Sequence, residues 1–390
     1  MTQQAVAERP YLVMAKIAGP ICTMRCAYCY YLGKERSLPR APGRLPVDLL
    51  DSYIAQRLAA APAGAVHFEW HGGEPTLAGL DYFRSIVRSQ RAHAKPGQRV
   101  TNGLQTNGIA LNGAWAGFLA AEHFSVGLSL DGPARVHDTF RRDAEGKGTH
   151  ARVEATWRLL KERGVFVNVL SVLSAAAAPA PDEVYDYFRE LGVTHLQLLP
   201  LVEGVARPGT AAPAQDVGRF LCRVFDRWIR EDVGRVVIQN IDEALRPCMA
   251  MEHSLCVHRE TCGQVAVLER DGGLYACDHF VDQEHRLGSL RDTTLAALAA
   301  DPRMAAFGEA KRDGLPGTCR ACDVLAWCNG GCPKDREPGG INRLCAGYRM
   351  FFQHCRPHLA TLAAHMMAGR PLREFAVDPA VAQERGTDAP

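Results

Sequence analysis

Three cysteines near the N-terminus have the types and spacing of a metal site. Cys22, Cys26 and Cys29 form a C-x3-C-x2-C pattern directly after the apolar run 11–17, which predicts a buried strand. A four-iron cluster usually takes four cysteines, so three thiolates would leave one iron open. A catalytic metal site needs such an open position because another molecule must bind there. A zinc knuckle or a chance grouping of cysteines is the alternative.

A second group of cysteines lies in the C-terminal third. Of the fourteen cysteines, three precede residue 30, ten lie from Cys248 onward, and Cys222 stands between. Eight of the later ones have regular spacings: Cys256, Cys262, Cys277, Cys319, Cys322, Cys328, Cys332 and Cys345. Eight thiolates would ligate two complete four-iron clusters. A pair of structural zinc sites, each with four thiolates, is the competing interpretation.

Composition excludes several other classes of protein. The 390 residues carry a net charge of +2, with 45 basic and 43 acidic residues mixed along the chain, so we expect no nucleic-acid partner. The first ten residues show no apolar signal segment, and no apolar run is long enough to span a membrane. We therefore expect a cytoplasmic protein without a membrane partner, in which the cysteines are reduced rather than paired as disulfides.

The hydrophobic pattern places these motifs on an α/β fold. Apolar strands are predicted at 11–17, 65–70, 100–105, 124–130, 165–172 and 195–199, with amphipathic helices between them. Six strands that alternate with helices indicate a parallel sheet with right-handed crossovers. Six units are too few for a closed eight-stranded barrel, so the prediction is a partial (β/α)6 TIM-like barrel. Active sites of barrels lie at the carboxyl ends of the strands.

Polar motifs stand where three of these strands end, at 71–75, 105–108 and 129–133. The segment 71–75 has two glycines that allow close backbone approach to a ligand, and a carboxylate that suits an ammonium group. The segment 129–133 places short polar side chains after the fourth strand, and Arg141 or Arg142 follows as a bidentate partner for a carboxylate. An ordinary turn and a solvated helix face are the alternatives. Leu199, which ends the sixth strand, could pack against a base or belong to the core.

Taken together, these motifs resemble a known enzyme family. The chain resembles radical S-adenosylmethionine (SAM) enzymes, and within them the anaerobic sulfatase-maturating enzymes, from about residue 12 to residue 373. The segments that carry the resemblance are CTMRCAYCYYLGK, WHGGEPTLAGL, LQTNG, VGLSLDGP, YACDHFV, CNGGCPKDR and LCAGYRMFFQHC. The last three include parts of the cysteine-rich SPASM extension, which holds two auxiliary clusters in such enzymes.

The resemblance implies three [4Fe–4S] clusters and SAM as cofactors. The radical SAM cluster would be held by Cys22, Cys26 and Cys29, with SAM on the open iron. Auxiliary cluster I would take Cys256, Cys262, Cys277 and Cys332, and auxiliary cluster II would take Cys319, Cys322, Cys328 and Cys345, with Cys355 as the alternative to Cys345. The implied SAM contacts are Tyr28, His71, Gly72, Gly73, Glu74, Ser129, Asp131, Arg141 and Leu199.

The resemblance also implies a reaction. A cysteine or serine in a sulfatase Cys/Ser-x-Pro-x-Arg motif would be oxidised to Cα-formylglycine after a 5′-deoxyadenosyl radical removes a β-hydrogen. Asp278 matches the family's general base, beside the expected ligand Cys277, and its interpretation as a simple turn cap is the alternative. Tyr31 is expected to line the substrate pocket. The partners would be an unfolded sulfatase chain or peptide and an electron donor such as flavodoxin or ferredoxin.

The expected organisation is a frayed N-terminus at 1–10, a radical SAM barrel at 11–235, a SPASM domain at 236–375 and a disordered tail at 376–390. Two other functions stay open at this point. One is a radical SAM/SPASM enzyme that crosslinks or epimerises a ribosomal precursor peptide, although few residues precede the first strand for a precursor-recognition domain. The other is a zinc-stabilised binding protein.

Overall fold

The computed structural model describes residues 12–36, 38, 43–202 and 208–375. Two compact units divide the chain, and neither is continuous in sequence. Of the described residues, the first comprises those within 12–170, 208–210 and 260–314, and the second comprises 171–202, 211–259 and 315–375. The predicted boundary at 235/236 stays a prediction. The expectations for 1–10 and 376–390 lie outside the described residues.

Ten strands occur in the described part of the chain. They are β1 (Leu12–Lys16), β2 (Gly64–His71), β3 (Gln98–Thr106), β4 (Ser125–Ser129), β5 (Phe166–Leu173), β6 (His195–Pro200), β7 (Val237–Ile238), β8 (Val265–Glu269), β9 (Gly273–Tyr275) and β10 (Arg286–Ser289). The first six fall where the hydrophobic runs predict them. The strands β7 to β10, which have two to five residues, were not predicted. The two to four residues of β7, β9 and β10 give too little periodicity to recognise.

Thirteen α-helices occur in the same described ranges. They are α1 (Val47–Ala60), α2 (Leu80–His93), α3 (Gly113–Ala121), α4 (Ala134–Phe140), α5 (His150–Glu162), α6 (Pro181–Leu191), α7 (Ala214–Glu231), α8 (Gln239–Leu245), α9 (Leu295–Ala299), α10 (Pro302–Asp313), α11 (Gly317–Arg320), α12 (Leu325–Cys328) and α13 (Cys345–Met367). Within these ranges no helix combines the length and apolar character needed to span a bilayer.

In the first unit the strand order is β10-β9-β8-β1-β2-β3-β4-β5. The pairs from β8 to β5 are parallel, and β8, β9 and β10 pair antiparallel. Strand β2 shows why the sheet has one dry and one polar face. Val66, Phe68 and Trp70 are buried, whereas the intervening His67 and Glu69 are partly exposed.

The register brings three charged or polar residues side by side at the carboxyl ends of neighbouring strands. Lys16, the last residue of β1, pairs with His71 of β2 on one side and with Glu269 of β8 on the other. Each of the three ends its strand. Because the strands run parallel, these side chains gather at the edge where barrel enzymes carry their active sites.

The second unit is built around two long helices. Helix α7 packs on α13, and the two backbones come close together at two glycines. A Cβ on Gly347 would lie 2.1 Å from the Ala214 carbonyl oxygen, and one on Gly218 would lie 2.9 Å from the Gly347 Cα. Only glycine permits this spacing of the backbones. Strands β6 and β7 pair parallel in this unit, with His195 opposite Val237.

Candidate active site

The cysteine loop that follows β1 belongs to the first unit. Its backbone is held by the segment after α4, because the amides of Arg25 and Ala27 donate to the carbonyls of Arg142 and Phe140 at 2.8 and 2.9 Å. The amide of Met24 donates to Cys22 Sγ at 3.3 Å. Backbone N–H groups directed at sulfur stabilise the thiolate form that ligates iron.

Burial and neighbouring charges raise the pKa of two thiols in this loop. The pKa of Cys26 is raised to about 12, chiefly by burial, with Arg141 opposing the rise and Cys29 and Cys22 adding to it. Burial also raises the pKa of Cys22, with contributions from Glu74 and Cys29. Neutral, buried thiols are unreactive, and deprotonation becomes favourable only when a metal takes the place of the protons. The donor set therefore fits a cluster.

Two glycines after β2 support the cysteine loop. The Gly73 amide donates to the Gly19 carbonyl at 2.6 Å, and the Glu74 amide donates to the Ile21 carbonyl at 2.8 Å. A Cβ on Gly73 would lie 2.3 Å from the Ile21 oxygen, and one on Gly72 would lie 3.1 Å from the Gly19 oxygen. The close backbone approach that these glycines permit is therefore an approach to the cysteine loop itself.

Glu74 is completely buried and fully engaged with its surroundings. One carboxylate oxygen accepts from the amide and hydroxyl of Thr76 at 3.1 and 2.6 Å and from the hydroxyl of Thr106 at 2.7 Å. The other accepts from the Asn107 amide at 2.8 Å. Burial raises the pKa of Glu74, and these donors oppose the rise. The carboxylate ties the ends of β2 and β3 together, and its contact with SAM stays a prediction.

Asp131 is the centre of a second buried cluster. Its carboxylate accepts from the Tyr28 hydroxyl and lies 2.9 Å from the Arg141 guanidinium. The Arg141 guanidinium also lies over the Tyr28 ring, 5.4 Å from its centroid. Arg142, in contrast, is exposed and donates to backbone carbonyls. The structure therefore brings Tyr28, Asp131 and Arg141 together, while Ser129 accepts from Gln105 at 3.2 Å.

Asp278 is held by residues of the first unit on both of its oxygens. One oxygen lies 2.5 Å from Lys16 Nζ, and the other accepts from the Tyr30 hydroxyl. Burial alone would raise the pKa of Asp278, but Lys16, with help from His279 and His71, holds the pKa below its usual value. The carboxyl is therefore ionised at neutral pH, as a proton acceptor must be.

Tyr31 and His71 lie on the other sides of the same lysine. The Tyr31 hydroxyl donates to Glu269 at 2.6 Å, and Lys16 Nζ lies 4.3 Å from the centroid of the Tyr31 ring. His71 Nδ1 lies 3.3 Å from Lys16 Nζ, and burial together with this ammonium lowers the pKa of His71 to about 3. Tyr31 is only 3% exposed, so its expected place in the substrate pocket stays a prediction.

The second unit brings together one of the two predicted auxiliary sets. The pKa of Cys328 is raised to about 11, chiefly by burial, and Cys345, Cys319 and Cys322 contribute to the rise. Burial raises the pKa of Cys345 as well, again with a contribution from Cys322. Four thiols that repel one another as anions are the arrangement that a cluster would neutralise. Cys355 is instead fully buried near Cys222 and Cys248.

The other predicted set is divided between the units. Cys256 and Cys332 belong to the second unit, where Cys256 contributes to the raised pKa of Cys332, which burial brings to about 12. Cys262 and Cys277 belong to the first unit. Leu199, which is expected to contact SAM and not a cluster, belongs to the second unit. Within the described ranges no three His, Cys, Asp or Glu side chains lie around a single metal position. A four-iron cluster places each cysteine on a different iron, so its ligands do not share one ion.

Sequence reasoning missed Lys16, Tyr30 and Glu269. A usable signal existed for two of them, because Lys16 and Glu269 are charged residues that end otherwise apolar strands. Such residues are rarely buried unless they are paired. No local signal distinguishes Tyr30 from Tyr28 and Tyr31, since all three lie in one short loop.

Comparison with known proteins agrees with this geometry. The radical SAM superfamily model matches residues 17–191, and the SPASM model, an iron–sulfur cluster-binding domain, matches residues 256–323. A serine-type anaerobic sulfatase-maturating enzyme of Bacteroides thetaiotaomicron is 34% identical, over 94% of this chain and 94% of its own. A cysteine-type enzyme of Clostridium perfringens is 32% identical, over 91% of this chain and 98% of its own.

A solved structure extends the agreement to three dimensions. Native anSMEcpe with bound AdoMet and Kp18Cys peptide matches with a TM-score of 0.83 and 31% identity, over 90% of this chain and 99% of that one. The predicted fold class, a radical SAM barrel with a SPASM domain, is confirmed. These two domains identify [4Fe–4S] clusters and SAM as the cofactors. The chain is a radical SAM oxidoreductase and belongs to the anaerobic sulfatase-maturating enzymes.

Proposed function

We propose that this enzyme oxidises a cysteine or serine side chain in a sulfatase Cys/Ser-x-Pro-x-Arg motif to Cα-formylglycine. The observation that carries the proposal is the position of Asp278, which adjoins Cys277, contacts Lys16 and accepts from Tyr30, the residue next to Cys29. This position, between an expected ligand of the radical SAM cluster and an expected ligand of an auxiliary cluster, supports Asp278 as the group that takes the proton. The serine- and cysteine-type relatives and the peptide-bound anSMEcpe structure support the same substrate class.

The proposal assigns three clusters to the cysteines. Cys22, Cys26 and Cys29 hold the SAM-binding cluster, and the two sets of four cysteines hold auxiliary clusters I and II. When bound, these groups supply the deoxyadenosyl radical that removes a β-hydrogen and the acceptor for the electron released afterwards. The grouping of Cys319, Cys322, Cys328 and Cys345 in the second unit supports this assignment.

The chain's own residues account for the proton and for the SAM site. Asp278 takes the proton from the substrate thiol or hydroxyl. A proton on that atom becomes acidic as the carbon is oxidised, so a carboxylate with a lowered pKa suffices. Tyr28 of the cysteine loop and Arg141 both contact Asp131, and all three residues are buried. We assign them to the SAM pocket with Ser129 and the 71–74 segment.

An anaerobic assay tests the proposal. The reconstituted enzyme, SAM and a reductant are incubated with two peptides that differ only in carrying Cys-Thr-Pro-Ser-Arg or Ser-Thr-Pro-Ser-Arg. We expect a peptide aldehyde by mass spectrometry, formed together with 5′-deoxyadenosine, and we expect Asp278→Asn to lower the rate of aldehyde formation by about 100- to 10,000-fold. SAM cleavage that leaves both peptides unchanged would refute the substrate class and favour a different peptide-modifying reaction.

A further inference from the structure

A buried lysine ends the N-terminal strand of the first unit. The side chain of Lys16 is 0% exposed and follows the apolar residues of β1. An ammonium group is strongly disfavoured in such surroundings unless other groups compensate its charge. The groups around Lys16 therefore determine what it does.

All strands and loops that pack against Lys16 contribute a polar or aromatic group. Asp278, which follows β9, lies 2.5 Å from Nζ, and His71 of β2 lies at 3.3 Å. Glu269 of β8 is the register neighbour of Lys16, and its carboxyl is turned toward the Tyr31 hydroxyl at 2.6 Å. Lys16 Nζ lies over the Tyr31 ring at 4.3 Å. Asp278 is therefore the carboxylate that this ammonium contacts directly.

The contacts fix the orientation of Asp278. Lys16 is anchored in a strand that is paired on both sides, and it holds one carboxylate oxygen. Tyr30 holds the other oxygen from the cysteine loop. A carboxylate has about four lone-pair positions, so these two contacts leave acceptor capacity in a defined direction.

We propose that Lys16 is a positioning residue for the oxidation, which directs the free lone pairs of Asp278 toward the substrate thiol or hydroxyl. The inference rests on the function proposed above. When bound, SAM would supply the radical that takes one hydrogen atom from the substrate carbon, and an auxiliary cluster would accept one electron. Asp278 would take the proton of the thiol or hydroxyl as the carbon–sulfur or carbon–oxygen double bond forms. Lys16 neither gains nor loses a proton.

The test separates positioning from a merely structural role. We expect Lys16→Met to lower kcat for aldehyde formation by about 10- to 100-fold, a fraction of the usual contribution of a placed base. The KM for the peptide, and its Kd measured by fluorescence anisotropy with SAM present, should change by less than about threefold. Deoxyadenosine should continue to form, so its ratio to aldehyde should rise. Lys16→Arg should bring the ratio of deoxyadenosine to aldehyde part of the way back to the wild-type value, because arginine keeps the positive charge.

Two further variants keep the test decisive if Lys16→Met folds poorly. In an Asp278→Asn background, Lys16→Met leaves no carboxylate buried without its cation. If the two residues act as one unit, Lys16→Met should lower the remaining rate of aldehyde formation in this background by less than about twofold. Lys311→Met removes an equally buried lysine from α10 and should leave the ratio of deoxyadenosine to aldehyde at its wild-type value.

The outcomes distinguish the two proposals. If the wild-type enzyme makes aldehyde and Lys16→Met has the same ratio of deoxyadenosine to aldehyde, the role of Lys16 is refuted and the proposed function stands. The role of Lys16 is also refuted if the double variant loses activity by the product of the two single losses. A wild-type enzyme that cleaves SAM but makes no aldehyde would overturn the proposed function, and the role of Lys16 with it.

Discussion

Replacing Gly73 with alanine should disturb the cluster loop without touching a cluster ligand. The new Cβ would lie 2.3 Å from the Ile21 carbonyl oxygen and 2.7 Å from the Pro20 carbonyl carbon and oxygen. Ordinary contact begins at 3.4 Å, so the two segments must separate by about 1 Å. The atoms that must move are backbone atoms, and no side-chain rotation can relieve the clash.

The magnitude follows from two contributions. Overpacking of this kind destabilises a protein by about 1–3 kcal/mol. The separation also lengthens the bonds from the Gly73 and Glu74 amides to the Gly19 and Ile21 carbonyls, each worth about 1 kcal/mol. We therefore expect a loss of about 2–5 kcal/mol of unfolding free energy, concentrated at the loop that carries Cys22.

The assay compares iron content, SAM cleavage and the denaturation midpoint under anaerobic conditions. Gly73→Ala should bind less iron after reconstitution and should cleave SAM slowly. The matched control is Gly117→Ala in helix α3, where a Cβ meets nothing within 4 Å. It should be neutral or stabilising by up to about 1 kcal/mol, because alanine favours a helix. A Gly73→Ala enzyme with wild-type iron content and midpoint would refute the steric argument.

Three further predictions concern charge and ligation. Arg141→Met should lower the unfolding free energy by about 3–5 kcal/mol, because it leaves Asp131 buried without its cation. Replacing the exposed Arg142 with Met should change the unfolding free energy by less than about 0.5 kcal/mol, and denaturant titration checks both values. Burial raises the pKa of Glu269 to about 7, with Tyr31 and Lys16 opposing the rise, so the neutral carboxyl stabilises the fold below its ordinary pKa of 4.5 and this stability is lost as pH rises through 7. Between about pH 4.5 and pH 8, the unfolding free energy of the wild type should therefore fall by about 3 kcal/mol more than that of Glu269→Gln. Unfolding free energies of the two proteins that change with pH in parallel would contradict this. Cys345→Ser should remove about four irons per chain while Cys355→Ser removes none, as measured by iron analysis of the reconstituted proteins; the opposite result would exchange the two cysteines as ligands.

The sequence predicted the parts of the fold that have strong periodicity. Strands β1 to β6 have five to nine residues, and each was predicted from its own stretch of sequence without reference to its neighbours. Strands β8 to β10 are short, and β9 has only three residues. Their place beside β1 is a long-range pairing that no local pattern encodes. The interleaved course of the two units has the same origin, since residues 260–314 join a unit formed mainly by residues within 12–170.

The site was predictable where spacing carries the chemistry. Cys22, Cys26 and Cys29 are recognisable from their separation alone, because one loop must present all three. Asp278 could be singled out only through its neighbour Cys277 and the family resemblance. Its contacts with Lys16 and Tyr30 join residues about 250 positions apart and leave no trace in either segment.

The pairing of β1 with β8 explains how these distant residues meet. The two strands run parallel and in register from Leu12 opposite Val265 to Lys16 opposite Glu269, so the segments that leave them start from the same edge of the sheet. One segment becomes the cysteine loop, and the other turns back through β9 to Asp278. A register shift of one residue would turn Lys16 to the opposite face and break its contact with Asp278. The alignment of two short strands thus determines whether the proposed base and the radical SAM cluster loop meet in the first unit.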